Sequence, residues 1–208
     1  MEIFFGIVLS YLLGSIPTAY IAGRIYKGID IRKHGSGNMG ATNVFRVLGK
    51  WPGIIVLIVD IFKGTLAVVW VGDIFHLESV WSRVFLAVAA VGGHNWTIFL
   101  QFRGGKGVAT SLGVLVGLTI KFSVLRPVLF ITFLIWAVAF LTTAFISLAS
   151  IVAAVALPII MIATYQRLEI VSLGVIFCIF VIIRHKANIK RLLNGEEPRV
   201  KLPFYNKK

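Results

Sequence analysis

Acidic residues are scarce in this sequence. Eight Asp and Glu stand against 21 Lys and Arg in 208 residues, a formal charge of +13. With so few carboxylates, and no second histidine at ligand spacing from His94, no metal site is expected. One cysteine, Cys178, excludes an intrachain disulfide and a thiolate metal site; it lies in an apolar run and reads as packing. No convincing internal repeat appears, which argues against a transporter built from inverted halves. The opening MEIFFGIVLSYLLGSIP lacks a basic n-region and a clear cleavage site, so it reads as a retained span rather than a signal peptide.

What is abundant is apolar. The hydrophobic fraction is 58%, mean hydropathy is +0.93, and charged residues make up only 14%. Long apolar runs alternate with short basic islands. This describes an all-α, polytopic membrane helical bundle, one domain over residues 1–208. The positive charge does not call for a nucleic-acid partner, because cytoplasmic loops of membrane proteins collect Lys and Arg.

A crossing needs about 20 apolar residues. The runs predict spans at 3–23, with a possible kink at Pro17, then 51–72, 81–100 and a short one at 107–120. The stretch 127–165 is too long for one helix and must fold back, most simply between Leu141 and Ser147. A last span covers 170–184. That makes seven transmembrane helices, with the amino terminus outside and the carboxyl terminus in the cytoplasm. The basic residues support this parity. Sixteen fall on inside segments, including the tail residues Lys201, Lys207 and Lys208. Four fall outside: Arg83, Lys121, Arg126 and Arg167. A single helix over 127–165 would turn the basic tail outward.

Three islands then face the cytoplasm. The first, GSGNMGATNVFR at 35–46, places Gly35, Gly37 and Gly40 among the short donors Ser36, Asn38, Thr42 and Asn43 and ends on the cation Arg46. Glycines let backbone N–H groups turn inward, and such a concavity holds an oxyanion, most plausibly phosphate. The spacing of the glycines matches the dinucleotide fingerprint, but no βαβ unit surrounds it, and Asp60, at the ribose offset, falls inside an apolar run. A flexible loop whose glycines only make turns would explain this island alone.

The second island, GHNWTIFLQFRGGKGVAT at 93–110, sets Lys106 among Gly104, Gly105 and Gly107 at the start of a helix, whose dipole favours an anion. It is not a Walker loop, since Gly107 follows the lysine and Leu100 stands where glycine is required. The alternative is a snorkelling basic cap. His94 reads as a bundle histidine in possible support of the site. The third island, RHKANIKRLLNGEE at 184–197, follows the last span. Arg184 opens it, and His185 and Asn188 share a helix face. A basic interfacial helix accounts for Lys186, Lys190 and Arg191 but less well for His185 and Asn188.

Taken together and in order, the three islands resemble the motifs of the acyl-phosphate:glycerol-3-phosphate acyltransferases of bacterial membranes, the small polytopic Y-type family, over essentially the whole chain. Thr97 departs from that pattern, which commonly has proline there. The resemblance implies transfer of a fatty acyl group from acyl phosphate to the sn-1 hydroxyl of glycerol 3-phosphate at the bacterial inner membrane, on its cytoplasmic side and without a cofactor. Lysophosphatidic acid and phosphate would be the products. The first island would hold the acyl-phosphate headgroup, with Arg46 on the phosphate; Lys106 and its glycines would hold glycerol phosphate. His185 and Asn188 would orient the hydroxyl, and either His185 or a substrate phosphate oxygen would take its proton. Ser36 has no visible triad partner as a nucleophile. Asp60 and Lys63, one turn apart within a span, read as a structural pair. The rival class is a small transporter or channel for an organic phosphate, using the same basic pockets. A membrane scaffold with headgroup-binding loops is a third reading, and it leaves the first island's Ser, Asn and Thr unexplained.

Overall fold

The computed structural model describes residues 1–200, so Lys201, Lys207 and Lys208 of the basic tail lie outside the described residues. Among the described residues there is no strand. The chain divides into two compact units, residues 1–123 and 124–208.

In the first unit the expected opening span is two helices, α1 (Glu2–Ser15) and α2 (Thr18–Lys27). Pro17 has no N–H to continue the ladder, and the chain breaks there rather than bending. At the break the Ile16 carbonyl accepts the Thr18 N–H at 3.0 Å, and side chains from elsewhere in the unit reach the Ser15 and Ile16 carbonyls. Thr97 donates its hydroxyl to Ser15 O at 2.6 Å, and Lys63 Nζ donates to Ile16 O at 3.1 Å. Gly28, at φ +66°, ends α2 in the left-handed conformation typical of helix stops.

After the first island come α3 (Ala41–Leu48), α4 (Lys50–Leu66), a π-helical turn (Ala67–Val71) and α5 (Gly72–Ile74). Then α6 (Val80–Asn95) packs on α1, and α7 (Val108–Lys121) packs on α4. Glycine permits both contacts: a methyl on Gly14 would strike the Ala90 carbonyl, and one on Gly113 would strike that of Ile61. Within lipid, such small-residue contacts supply the packing that the hydrophobic effect supplies in water.

The wide π turn leaves carbonyls that one cation collects. Arg83, 4% exposed, donates to the carbonyl of Val68, to that of Val69 at 3.5 Å, and to Asp73 at 2.7 Å. Lys121 meets the same carboxylate at 2.5 Å. Arg83 and Lys121 therefore share one end of this unit, as the charge parity requires.

The second unit holds α8 (Arg126–Thr143), α9 (Ile146–Ala163), α10 (Leu168–Arg184) and α11 (Lys186–Leu193). The predicted fold-back falls at Ala144 and Phe145, with Ala144 at φ +59°. The chain returns to this turn: Val200 N–H donates to Ala144 O at 2.9 Å, and the Arg199 guanidinium lies 4.9 Å from the Phe145 ring centre. Turn and tail thus share a side, again as the parity requires. Phe130, Phe133, Leu134 and Val138 on α8 are exposed, which suits lipid as the solvent.

All seven expected segments are helical. Five are long and apolar enough to cross a membrane: 2–27, 50–74, 80–100, 123–143 and 146–163. The pair α10 and α11, bent by 62°, would make a sixth. Helix α7, at 14 residues, is about 21 Å long by helix rise, below the ~30 Å of a hydrocarbon core.

Replacing Arg83 with Met should lower the midpoint of thermal unfolding in detergent, because buried carbonyls lose their donor at a cost of about 1–3 kcal/mol. An unchanged midpoint would show that the π turn does not need this cap.

Candidate active site

The first island is organised around the side chain of Asn43. Before it, a 3-10 turn over Ile31–Lys33 is capped by Asp30, whose side chain accepts from the Arg32 backbone N–H at 3.0 Å. The Arg32 guanidinium also pairs with that carboxylate at 2.7 Å; the hydrogen bonding holds Asp30 at a pKa of about 2. The chain then turns through Gly35 and Gly37, at φ +59° and +70°, into α3, with Gly40 as its N-cap. Asn43, 1% exposed, accepts the Ser36 N–H at 2.8 Å and donates to the carbonyls of His34 at 3.0 Å and Ile31 at 3.4 Å. Its carboxamide is therefore engaged inside the loop. A methyl on Gly35 would fall on the Asn43 oxygen.

Ser36, Thr42 and Arg46 remain exposed, and Asn38 is half-buried. Thr42 and Arg46 are four residues apart on α3 and share a face. The first N–H groups of a helix have no partner within it. Hydroxyls, open amides and one guanidinium thus lie together, the donor set an oxyanion needs.

The second island is folded back against the end of α6. Gln101 and Phe102 take positive φ of 56° and 60° without being glycine, and the Phe102 N–H closes the turn on Thr97 O at 2.8 Å. Gly104 then donates to Asn95 O at 3.2 Å and Gly105 to His94 O at 3.0 Å. Both glycines are buried, and a methyl on either would collide with His94 or Asn95. Gly107, at φ +77°, is the N-cap of α7, and Lys106 before it is half-buried. Thr97 occupies a proline-shaped place. Its φ is −68° and its N–H has no hydrogen bond among the described residues, so proline would fit the same backbone. The hydroxyl on Ser15 O is what threonine adds.

The two islands meet at a small crevice of about 10 Å³, roughly the room of one water. The α1–α2 break supplies Ser15 to Thr18, the first island Met39, and the second Thr97 and Gly105; Lys63 and His94 complete the lining. Asp60 and Lys63, expected as a pair, are joined at 2.8 Å, and His94 lies beside them. The residues of the helix break are ones that motif reasoning missed. Pro17 was their signal, since it predicts carbonyls in need of donors.

In the second unit, His185 is the bend between α10 and α11. Its Nδ1 lies 2.8 Å from Val181 O. A carbonyl only accepts, so Nδ1 carries the proton and the neutral ring has its lone pair on Nε2. Arg184 precedes it, half-buried. Asn188, buried one turn on, donates to Glu197 Oε1 at 2.7 Å. Glu197, which motif reasoning gave no role, gathers this island: Ser147 donates to the same oxygen at 2.6 Å, and Arg191 to Oε2 at 2.7 Å. Burial pushes its pKa up, but these three hydrogen bonds outweigh burial and hold it below the usual glutamate value.

Comparison with known proteins follows the same lines. Residues 4–195 match the family described as glycerol-3-phosphate acyltransferase. A glycerol-3-phosphate acyltransferase of Synechococcus sp. (strain JA-2-3B'a(2-13)) is 47% identical over 190 residues, 91% of this chain and 90% of that one. The fold is similar to crystal structures of PlsY, an integral membrane glycerol 3-phosphate acyltransferase. Its glycerol 3-phosphate form gives a TM-score of 0.87 at 36% identity, covering 97% of this chain and 96% of that one. Its lysophosphatidic acid form gives 0.84 at 35%, with the same coverage.

Glu197 supplies a pH test. Its lowered folded pKa means that its stabilisation is present above the unfolded glutamate value and is lost as pH falls through the folded one. The thermal midpoint of the native protein should therefore drop on acidification through the carboxylate range, and Glu197→Gln should flatten that drop while lowering the midpoint at neutral pH. Parallel pH curves for the two proteins would rule the network out as a source of acid sensitivity.

Proposed function

The chain belongs to the glycerol-3-phosphate acyltransferase family, and from that premise we propose that it moves a fatty acyl group from an acyl phosphate to the sn-1 hydroxyl of glycerol 3-phosphate. The hydroxyl oxygen bonds to the acyl carbon, the bond from that carbon to the phosphate oxygen breaks, and phosphate leaves with the electron pair. Lysophosphatidic acid and inorganic phosphate are the products, and phospholipid synthesis is the setting. The observation that carries this reading is that the two glycine-rich islands lie side by side, meeting where Met39 of the first faces Thr97 and Gly105 of the second. Both substrates carry phosphate; the first island sets hydroxyls and open amides near Arg46, and the second sets Lys106 at the start of α7.

In this proposal Ser36, Thr42, Arg46 and the amides around Gly35, Gly37, Asn38 and Gly40 take the acyl-phosphate headgroup, with Asn43 holding their loop in shape. Lys106 takes glycerol phosphate, and Arg184 adds positive charge. Gly104 and Gly105, their N–H groups engaged by α6, together with Gly107 shape the loop that presents Lys106 rather than bind the phosphate. From the third island come His185 and Asn188, to orient the hydroxyl. The Nε2 lone pair of His185 is suited to accept its proton, and an oxygen of the departing phosphate is the alternative acceptor. An acyl phosphate is already activated, so stabilising the leaving anion and holding the reactants suffice. Seven crossings, the amino terminus outside and the islands on the cytoplasmic side of a bacterial inner membrane complete the proposal.

The test is turnover by the purified protein in detergent. Acyl phosphate and glycerol 3-phosphate should yield phosphate and lysolipid in equal amounts, and acyl-coenzyme A or acyl carrier protein should yield none. Arg46→Ala and Lys106→Ala should each raise a substrate KM by roughly 10–100-fold, the equivalent of a lost charge-assisted hydrogen bond of about 1.5–3 kcal/mol. Product from acyl-coenzyme A alone would overturn the donor, and normal kinetics in both variants would overturn the site. Transport of an organic phosphate into vesicles, without product, would favour a channel instead.

A further inference from the structure

Beneath the second island lies a group of buried polar residues that the proposed chemistry does not use. Asp60, on α4, is 1% exposed. Its Oδ1 accepts the Thr18 hydroxyl at 2.6 Å and the Lys63 ammonium at 2.8 Å, and stands 3.7 Å from Nδ1 of His94. Lys63 reaches on to Ile16 O. Asp60 Oδ2 has no hydrogen-bond partner among the described residues. One carboxylate oxygen thus collects the start of α2, the next turn of α4 and the last turn of α6.

Such a group is a poor source of stability. Removing a carboxylate and an ammonium from water costs several kcal/mol per ion, and well-packed apolar replacements are often no worse. What the group does supply is geometry. The His94 ring has one edge toward Asp60 and the other against the glycine loop: a methyl on Gly105 would fall on Nε2 and its neighbouring ring carbons. At 3.7 Å the Asp60 edge is in packing contact, too long for a hydrogen bond. The loop is seated on the same turn of α6, through Gly104 N–H on Asn95 O and Gly105 N–H on His94 O. Lys106 follows directly.

We propose that Asp60 is a positioning residue for the loop 104–107. It fixes the ring and the helix end on which Gly104 and Gly105 sit, and so sets where Lys106 is presented. The kinetic consequence rests on the reading above, in which Lys106 holds glycerol phosphate; the structural consequence does not.

Two readouts separate these. In Asp60→Asn, amide exchange at Gly104 and Gly105 should quicken by about tenfold or more, while amides inside α6, from Leu86 to Val91, keep the native rate. The KM for glycerol 3-phosphate should rise by about tenfold, with kcat and the KM for acyl phosphate within about twofold, as expected for lost positioning of one substrate. If Asp60→Asn does not fold, Asp60→Asn with Lys63→Met removes the bare buried ammonium and takes its place, with the same expectations. Native exchange at Gly104 and Gly105, or exchange rising equally throughout α6, overturns the proposal. Faster loop exchange with an unchanged KM supports the positioning role and instead overturns the assignment of Lys106 to glycerol phosphate.

Discussion

A carbonyl released from a helix inside lipid must find a donor, because no water is there to supply one. This chain releases carbonyls at the Ile16–Pro17 break and at the π turn over Ala67–Val71, and both places organise what surrounds them. Thr97 and Lys63 cap the first; Arg83 caps the second. Each cap comes from outside the segment whose carbonyl it serves, Thr97 from the loop after α6, Lys63 from α4 and Arg83 from α6, so satisfying the backbone also fixes these segments to one another. The first break lines the crevice where the two islands meet.

Those caps work because the helices are close. Threonine and serine hydroxyls are short and span helices only where small residues let backbones approach. Gly93 lies against Tyr11 and Ser15, and the Ser15 hydroxyl donates to the Gly93 carbonyl at 3.3 Å. Thr65 donates to Gly113 O at 2.8 Å where Gly113 meets Ile61. Tight packing and polar satisfaction are one arrangement here: a larger residue at either glycine would part the helices and strip the hydroxyl of its acceptor.

Sequence reasoning reached the parts that are local or periodic. Apolar run lengths marked the seven spans and put the fold-back between Leu141 and Ser147, and charge parity supported that fold-back because it constrains topology without contacts; the helix α3 inside the first island was not marked. Glycine-rich islands were legible because glycine at positive φ, as at Gly35, Gly37 and Gly107, has a backbone cause. Pairings between distant positions were not legible. Nothing about Asp60 and Lys63 as neighbours on one helix says that Thr18 and His94 join them. Ser147 and Glu197 are fifty residues apart and meet only because the tail returns to the α8–α9 turn. Asn43 reads as one donor among several until the loop is seen wrapped around it. Gln101 and Phe102 turn the chain through a left-handed conformation with no glycine to announce it.

The scarcity of carboxylates acquires a physical meaning once their places are known. Asp30 pairs with Arg32 before the first island, Asp60 with Lys63 beneath the second, and Glu197 with Arg191 in the third. One such carboxylate stands before the first island, one beneath the second and one at the end of the third; each is engaged with a cation and holds backbone or side chains in place. An unpaired carboxylate facing a phosphate would raise the energy of binding, and at 4 Å two like charges near a protein surface repel by about 4 kcal/mol. Paired with a neighbouring cation, the same group shapes the structure around it while its charge is offset. Arg46, at the end of the first island, has no such carboxylate partner among the described residues. The acidic residues build the frame and leave Arg46 without a carboxylate, the electrostatic order that the proposed phosphate site would require.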